Sequence, residues 1–166
     1  MKPFALFLGG ALATLGGDPP VVPKVDLARY MGTWHEIAKF PNRFQKGCTS
    51  TTATYVLRPD GKVTIINRCG TVDGKGKEAR GWAKVADAAT GAKLKVTFFW
   101  PFFGDYWILD LDPDYRRVLV GTPNRKYLWI LAREPRMAEA EYQALVAKAA
   151  ALSFPVERLE KTPLCP

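Results

Sequence analysis

The sequence predicts an all-β fold, a closed antiparallel barrel of eight strands with one C-terminal helix packed outside it. Three observations lead to this prediction. Strand-like segments follow one another along the chain, separated by turn signals such as Pro59-Asp60-Gly61. Gly32-Thr33-Trp34 opens the first of these segments, and Arg133 ends the last. A helical run with an apolar stripe follows all of the strands.

The strands are predicted from apolar and β-branched runs that end at Gly, Pro, Asp or Asn. Eight strands is the size at which a barrel interior just holds side chains or one small ligand. The predicted strands are residues 33–39, 51–57, 62–68, 78–85, 93–99, 106–111, 117–121 and 127–133.

Gly32, Trp34 and Arg133 are predicted to close one end of the barrel. A closed barrel must join its first and last strands, and these three residues lie on those two strands. A large indole capped by a guanidinium fills a narrow barrel end, and such a stack contributes on the order of 0.5–2 kcal/mol.

The helical run carries apolar residues at steps of three and four. Its stripe consists of Ala138, Tyr142, Leu145, Ala149 and Leu152. This spacing places all five on one face of a helix. We predict that this face packs on the outside of the barrel.

Composition limits the class of protein. A chain of 166 residues fits one domain. Its formal net charge of +8, from 24 Lys plus Arg and 16 Asp plus Glu, favours anionic surfaces. The basic residues are scattered rather than gathered in a block, which favours a solubilising surface over a dedicated basic patch.

Residues 1–20 are predicted to be a signal peptide and linker, and residues 21–166 a single domain. Lys2 precedes apolar stretches at 4–8 and 11–15, Ala11-Leu12-Ala13 matches a cleavage pattern, and Gly and Pro residues follow. The alternative is a disordered or strand-like tail from a misassigned start codon. If this segment directs export, the protein is expected in the periplasm or at the outer membrane.

Several segments, in this order and spacing, resemble the lipocalin family, and within it the bacterial outer-membrane lipocalin and apolipoprotein D branch. The resemblance covers roughly Val25 to Thr162 and implies an eight-stranded antiparallel up-and-down β-barrel that binds a small hydrophobic ligand. Many bacterial relatives carry a lipid-anchor cysteine near the N-terminus, and this sequence has none there. The segments that carry the resemblance are Gly32-Thr33-Trp34, Asn42-Arg43-Phe44, residues 53–67, residues 98–102, Asp114-Tyr115 and residues 127–133.

The three cysteines allow one internal disulfide and leave one free thiol. Cys48 precedes the second predicted strand and Cys69 ends the third, so the two lie at the open end of one hairpin, within disulfide reach. The resemblance implies an alternative pairing, Cys48 with Cys165. No metal site is predicted, because His35 is the single histidine and the cysteines are far apart.

Side chains alternate in and out along a strand, so an inward Trp34 predicts that Glu36 and Ala38 also face the lumen. A buried Glu36 needs a tyrosine hydroxyl or an inward basic side chain as its partner. The resemblance implies that Asn67 and Trp129 line the ligand pocket. The alternative is a solid core without a pocket. The predicted ligand-binding residues are Phe40, Phe44, Ile65, Asn67, Val96, Phe98, Tyr106 and Trp129.

The run Phe98-Phe99-Trp100-Pro101-Phe102-Phe103 is the most apolar local stretch. Pro101 and Gly104 interrupt a strand, so the run is predicted to form a hairpin at the barrel mouth. Aromatic residues at a rim predict either contact with a lipid surface or partner, or a roof over the cavity.

The predicted function is sequestration of a fatty acid, lysophospholipid or similar lipid by a monomer or weak dimer, with no cofactor and no nucleic acid. Some lipocalins are enzymes, and a lipocalin-fold enzyme acting on a lipophilic substrate is one alternative. It is disfavoured because no inward Cys or His and no Ser/His/Asp set is found. The other alternative, a basic nucleic-acid-binding barrel suggested by the net charge, is disfavoured by the strand count.

Overall fold

The structure is a computed structural model that describes residues 16–164 of the chain. The eight predicted strands are confirmed, and a two-residue strand follows the helix. None of the helices in the described part of the chain has the length and apolar character needed to cross a membrane. The elements are α1 Leu27–Tyr30, β1 Gly32–Lys39, β2 Thr49–Leu57, β3 Val63–Gly70, β4 Lys77–Val85, β5 Lys93–Phe99, β6 Phe102–Leu111, β7 Arg117–Gly121, β8 Leu128–Ala132, α2 Glu139–Ala151 and β9 Glu160–Lys161.

Strands β1 to β8 form a closed up-and-down barrel. Every strand from β2 to β8 lies beside its neighbours in sequence, and β1 pairs with both β8 and β2. All of these pairings are antiparallel. The predicted fold class is therefore confirmed.

The C-terminal segment fills a gap in the barrel wall. The first half of β1 pairs with β2, whereas Ala38 and Lys39 pair with β9. The backbone N–H of Thr162 donates to the carbonyl of Ile37 at 2.9 Å, and the N–H of Ser50 donates to that of Pro163 at 2.7 Å. Residues 160–163 thus join β1 to β2 where the two strands diverge.

Apolar side chains form two clusters, one on each side of the barrel wall. The inner cluster fills the lumen around Trp34, Ile108 and Val118. The outer cluster lies between the wall and α2, to which the helix contributes Tyr142 and Leu145. The prediction that α2 packs outside the barrel is confirmed.

A β-bulge between Glu36 and Ala38 reverses the alternation of β1. Glu36 lies opposite the inner-cluster residue Leu131, but Ala38 lies opposite the outer-cluster residue Ile130. The predicted inward direction of Ala38 is therefore wrong. Phe40, predicted to bind ligand, likewise does not face the lumen, because it is fully buried in the outer cluster.

The disulfide joins Cys48 to Cys69, with their Cα atoms 5.3 Å apart. The predicted pairing is confirmed, and it excludes the alternative bond because Cys48 forms only one disulfide. Cys165 lies outside the described residues. Residues 1–15, which hold most of the predicted export signal, also lie outside them. That signal and the domain boundary after it stay predictions.

The apolar run 98–103 forms the turn between β5 and β6, with Phe99 paired with Phe102. The predicted hairpin is thus present. Strand β6 begins at Phe102, earlier than the predicted start at Tyr106. A register shift between Val96 and Phe99 accommodates one extra residue of β5, so β5 and β6 stay paired up to Phe102.

Candidate functional site: a barrel lumen with a closed floor and a polar mouth

The closed end of the barrel is held by Arg133. Its guanidinium lies 3.9 Å from the centroid of the Trp34 ring. It also donates hydrogen bonds that tie α1, β1 and the β6–β7 turn together. The accepting backbone oxygens are those of Arg29 at 2.9 Å, Thr33 at 3.1 Å, Tyr30 at 3.2 Å and Tyr115 at 3.2 Å.

Gly32 is required by this arrangement. Its φ of +96° lies in a region that side chains rarely adopt, and a Cβ there would lie 3.2 Å from Nη1 of Arg133. Two residues on, the Trp34 Nε1–H donates to the carbonyl of Tyr30 at 2.9 Å. The Gly-x-Trp spacing therefore lets the guanidinium approach the backbone while the indole fills the barrel end.

Three tyrosines form a hydrogen-bonded layer, the floor of the lumen, above the Trp34–Arg133 pair. The hydroxyl of Tyr106 lies 2.7 Å from that of Tyr30 and 3.0 Å from that of Tyr55. Burial is the largest cause that raises the pKa of all three phenols well above the ordinary tyrosine value. They stay neutral at physiological pH.

The floor leaves little free space. A cavity of about 10 Å³ lies among the tyrosines, which is room for about one water molecule. Of the predicted ligand-binding residues, Ile65, Val96 and Tyr106 line it together. The closed half of the lumen is therefore largely filled by side chains.

Small residues line the wall of the lumen nearer the open end. Opposite the inward Ile65 and Asn67 of β3 lie Gly81 and Ala79 of β4. A Cβ at Gly81 would lie 2.8 Å from the Phe98 ring, so that ring covers the bare backbone of Gly81. Phe98 is half-exposed at this level.

Asn67 supplies a polar group on this part of the wall. Its cross-strand partners are Ala53 and Ala79, which offer no polar side-chain atoms. Its Oδ1 atom is buried and has no hydrogen-bond partner within residues 16–164. A buried amide oxygen without a partner is rare in folded proteins, because desolvation costs about 1–3 kcal/mol.

Glu36 anchors a polar cluster at the mouth. The Thr162 hydroxyl donates to its Oε1 at 2.5 Å, the Gln45 amide donates to its Oε2, and Lys39 Nζ lies 3.5 Å from Oε1. Of the two predicted kinds of partner, the structure provides the inward basic side chain. Thr162 comes from the C-terminal segment, far away in sequence.

Gln45 fastens the loop at the mouth to the lumen wall. Its Oε1 accepts from Trp129 Nε1 at 3.2 Å and from Asn42 Nδ2 at 2.7 Å. Asn42 in turn accepts from the backbone N–H of Gln45 at 3.1 Å, capping the single turn Arg43–Gln45. Trp129 also stacks on Tyr127, with ring centroids 5.8 Å apart.

The sequence did not single out Lys39, Gln45 or Thr162. The bulge in β1 conceals the inward direction of Lys39, since simple alternation from Trp34 points it outward. The Asn42–Gln45 spacing is a capping pattern that could have indicated a turn here. Nothing in the local sequence places Thr162 beside Glu36.

Aromatic side chains project from the open end. Phe99 is 77% exposed, and Trp100 and Phe102 are each 72% exposed. Phe44, predicted to bind ligand, is 74% exposed on the loop that Gln45 fastens. These four side chains lie outside the lumen, at its rim.

An up-and-down barrel with one closed end and a mixed apolar and polar lumen is the architecture of a protein that holds a small apolar molecule. The family described as Lipocalin-like domain matches residues 25–164 of the chain. The chain therefore belongs to the lipocalin family, which binds and transports small hydrophobic ligands.

The chain is similar in sequence to curated relatives from plants, bacteria and animals. Temperature-induced lipocalin-1 of Arabidopsis thaliana is 45% identical, over 86% of this chain and 81% of its own length. Outer membrane lipoprotein Blc of Escherichia coli (strain K12) is 44% identical, over 83% of this chain and 78% of its own. Apolipoprotein D of Mus musculus is 35% identical, over 81% of this chain and 79% of its own.

Solved structures share the fold at much lower identity. Insecticyanin from the tobacco hornworm Manduca sexta superposes with a TM-score of 0.71 at 19% identity, over 89% of this chain and 86% of its own. Lobster apocrustacyanin A1 gives a TM-score of 0.69 at 16% identity, over 85% of this chain and 81% of its own.

Proposed function

We propose that the protein sequesters a single-chain lipid, a fatty acid or a lysophospholipid, in the open half of its lumen, without converting it chemically. The observation that carries this proposal is the buried amide oxygen of Asn67, which has no hydrogen-bond partner within residues 16–164 and can accept from a hydroxyl group of a ligand, such as that of a lysophospholipid glycerol. The acyl chain lies along the wall beside Ala79 and Gly81 once the Phe98 ring, which covers Gly81, moves aside, and each buried methylene contributes about 0.8 kcal/mol. Asn67 and Trp129 meet the polar end of the ligand.

We also propose that the protein acts outside the cytoplasm, in the periplasm or at the outer membrane. The Cys48–Cys69 disulfide is typical of an oxidising compartment. Relatives at 34–44% identity are outer membrane lipoproteins.

The open end is proposed to touch an anionic lipid surface while the ligand is exchanged. Its exposed aromatic residues suit the interface between headgroups and chains. The neighbouring loops carry exposed Arg43, Lys46 and Lys75, against one acidic residue, Asp73. Basic side chains near an anionic surface contribute about 1 kcal/mol each.

Replacement of Trp129 and Asn67 tests the lumen assignment. Trp129→Ala should weaken binding of a fatty acid by about 1–3 kcal/mol, because the indole contributes apolar contact. Asn67→Leu should change the preference among headgroups more than the preference among chain lengths. Isothermal titration with fatty acids and lysophospholipids measures both effects.

Trp82→Ala is the matched control, because Trp82 packs on Phe103 on the outer face of the barrel. It should leave affinity unchanged. Unaltered binding in both lumen variants would show that the ligand sits elsewhere, and absence of lipid binding by the wild type at micromolar concentration would remove the proposed function.

A further inference from the structure

Lys39 is a cation that the barrel turns toward its own lumen. It lies opposite Trp129, which packs against the inner apolar cluster, whereas Ala38 and Phe40 on either side belong to the outer cluster. Only 9% of its side chain remains exposed. Lysine is almost never buried to this extent without a partner.

The ammonium group of Lys39 has few partners within residues 16–164. In the part of the chain that the structure describes, its one ion pair is with Glu36 Oε1, at 3.5 Å, and no hydrogen bond from Lys39 Nζ is found. Glu36 is already satisfied by Thr162 and Gln45 on its two oxygens. An ammonium carries three N–H donors, so the single ion pair with Glu36 leaves donors that an anionic ligand can accept from.

We propose that Lys39 selects lipids with an anionic headgroup, a carboxylate or a phosphate, by forming a charge-assisted hydrogen bond with that headgroup inside the mouth of the lumen. This inference rests on the proposed function and adds the charge of the ligand to it. Hydrogen bonds between an ammonium and an oxyanion are roughly twice as strong as neutral ones.

Glu36 does not prevent this role. A headgroup in contact with the far side of the ammonium lies roughly twice as far from Glu36 as from Lys39, and Coulomb energy falls with distance. The Glu36 charge is also directed toward the donors of Thr162 and Gln45. Attraction to Lys39 therefore exceeds repulsion from Glu36.

The exposed basic residues of the rim cannot supply the same selection. Arg43 and Lys46 are solvated, and salt screens their field over about 8–10 Å. They attract anions in general, whereas Lys39 meets a headgroup only when the chain is seated in the lumen. A substitution at Lys39 should therefore change the affinity for lipid seated in the lumen, and should leave the general attraction of anions to the rim unchanged.

A fatty acid and the fatty alcohol of the same chain length provide the test. The wild type should bind the acid about ten- to a hundredfold more tightly than the alcohol, as expected for a hydrogen bond to a charged group. Lys39→Met, which keeps the apolar stem, should lose this preference while retaining affinity for the alcohol. Lys39→Arg should restore it, and Lys126→Met, on an exposed turn of the same end, should not affect it.

Replacement of Lys39 alone leaves Glu36 without its cation. A double variant that combines Glu36→Gln with Lys39→Met is therefore measured as well. The double variant should also bind acid and alcohol equally. Acetate and inorganic phosphate, which have the charge without the chain, should not compete with the fatty acid.

Persistence of the acid preference in both Lys39→Met proteins would overturn the inference, as would competition by the short anions. Equal binding of acid and alcohol by the wild type would overturn it while leaving the proposed function intact. Binding of neither ligand by the wild type would overturn both.

Discussion

Arg133 does more at the closed end than cover an indole. It contacts the Trp34 ring and donates to four backbone oxygens from three parts of the chain. A single side chain thus holds α1 and the β6–β7 turn against the first strand.

Arg133→Ala should destabilise the protein by about 1–3 kcal/mol, since the ring contact and several hydrogen bonds are lost together. Urea denaturation followed by far-ultraviolet circular dichroism measures the change. Arg136→Ala is the matched control, because the side chain of the exposed Arg136 forms no hydrogen bond, ion pair or ring contact within residues 16–164. A denaturation midpoint equal to that of the wild type would contradict the account of the closed end.

Alternation along a regular strand predicts which side chains face the lumen. It does not predict the direction of side chains that follow a bulge. Ile65 and Val96 lie on regular parts of β3 and β5, so alternation places them in the lumen. Phe40 was assigned wrongly, and Lys39 was not singled out, because one extra residue in β1 changes the face of everything after it.

At the scale of elements, turn residues and apolar runs were sufficient to predict eight strands and one external helix. What they could not predict is where the ladders shift register. Bulges also occur between β2 and β3, β5 and β6, and β6 and β7. The strand β9 closes a gap that exists only because β1 and β2 diverge in three dimensions.

The β5–β6 hairpin is the element expected to contact a membrane. Replacement of Phe99 and Trp100 by Ser should lower binding to vesicles that contain an anionic lipid by about tenfold, because two large side chains no longer enter the interface. Co-sedimentation with vesicles of phosphatidylcholine and phosphatidylglycerol measures this. Binding should also weaken as salt is raised, since the basic loops act through screened charge.

The matched control replaces Val56 and Leu57, which are exposed on β2 near the closed end, by Ser. That variant should bind vesicles as the wild type does. Equal loss in the two variants would assign the effect to general surface hydrophobicity, and no loss in the hairpin variant would contradict a docking role for this element.

At the scale of the whole molecule, the barrel divides into two halves with different tasks. In the closed half, the Trp34–Arg133 pair and the three hydrogen-bonded tyrosines fill the lumen with side chains. The open half combines small wall residues with a few buried polar groups at the mouth. An amphiphile fits this division, with its chain toward the floor and its headgroup at the mouth.

Native mass spectrometry of the intact protein, mixed with a lysophospholipid at micromolar concentration, tests this division most directly. We expect one bound lipid per chain, which a fatty acid displaces and which binds more weakly in Trp129→Ala. A protein that remains lipid-free, or one that gathers several lipids in proportion to their concentration, would contradict the claim that the lumen is a binding site.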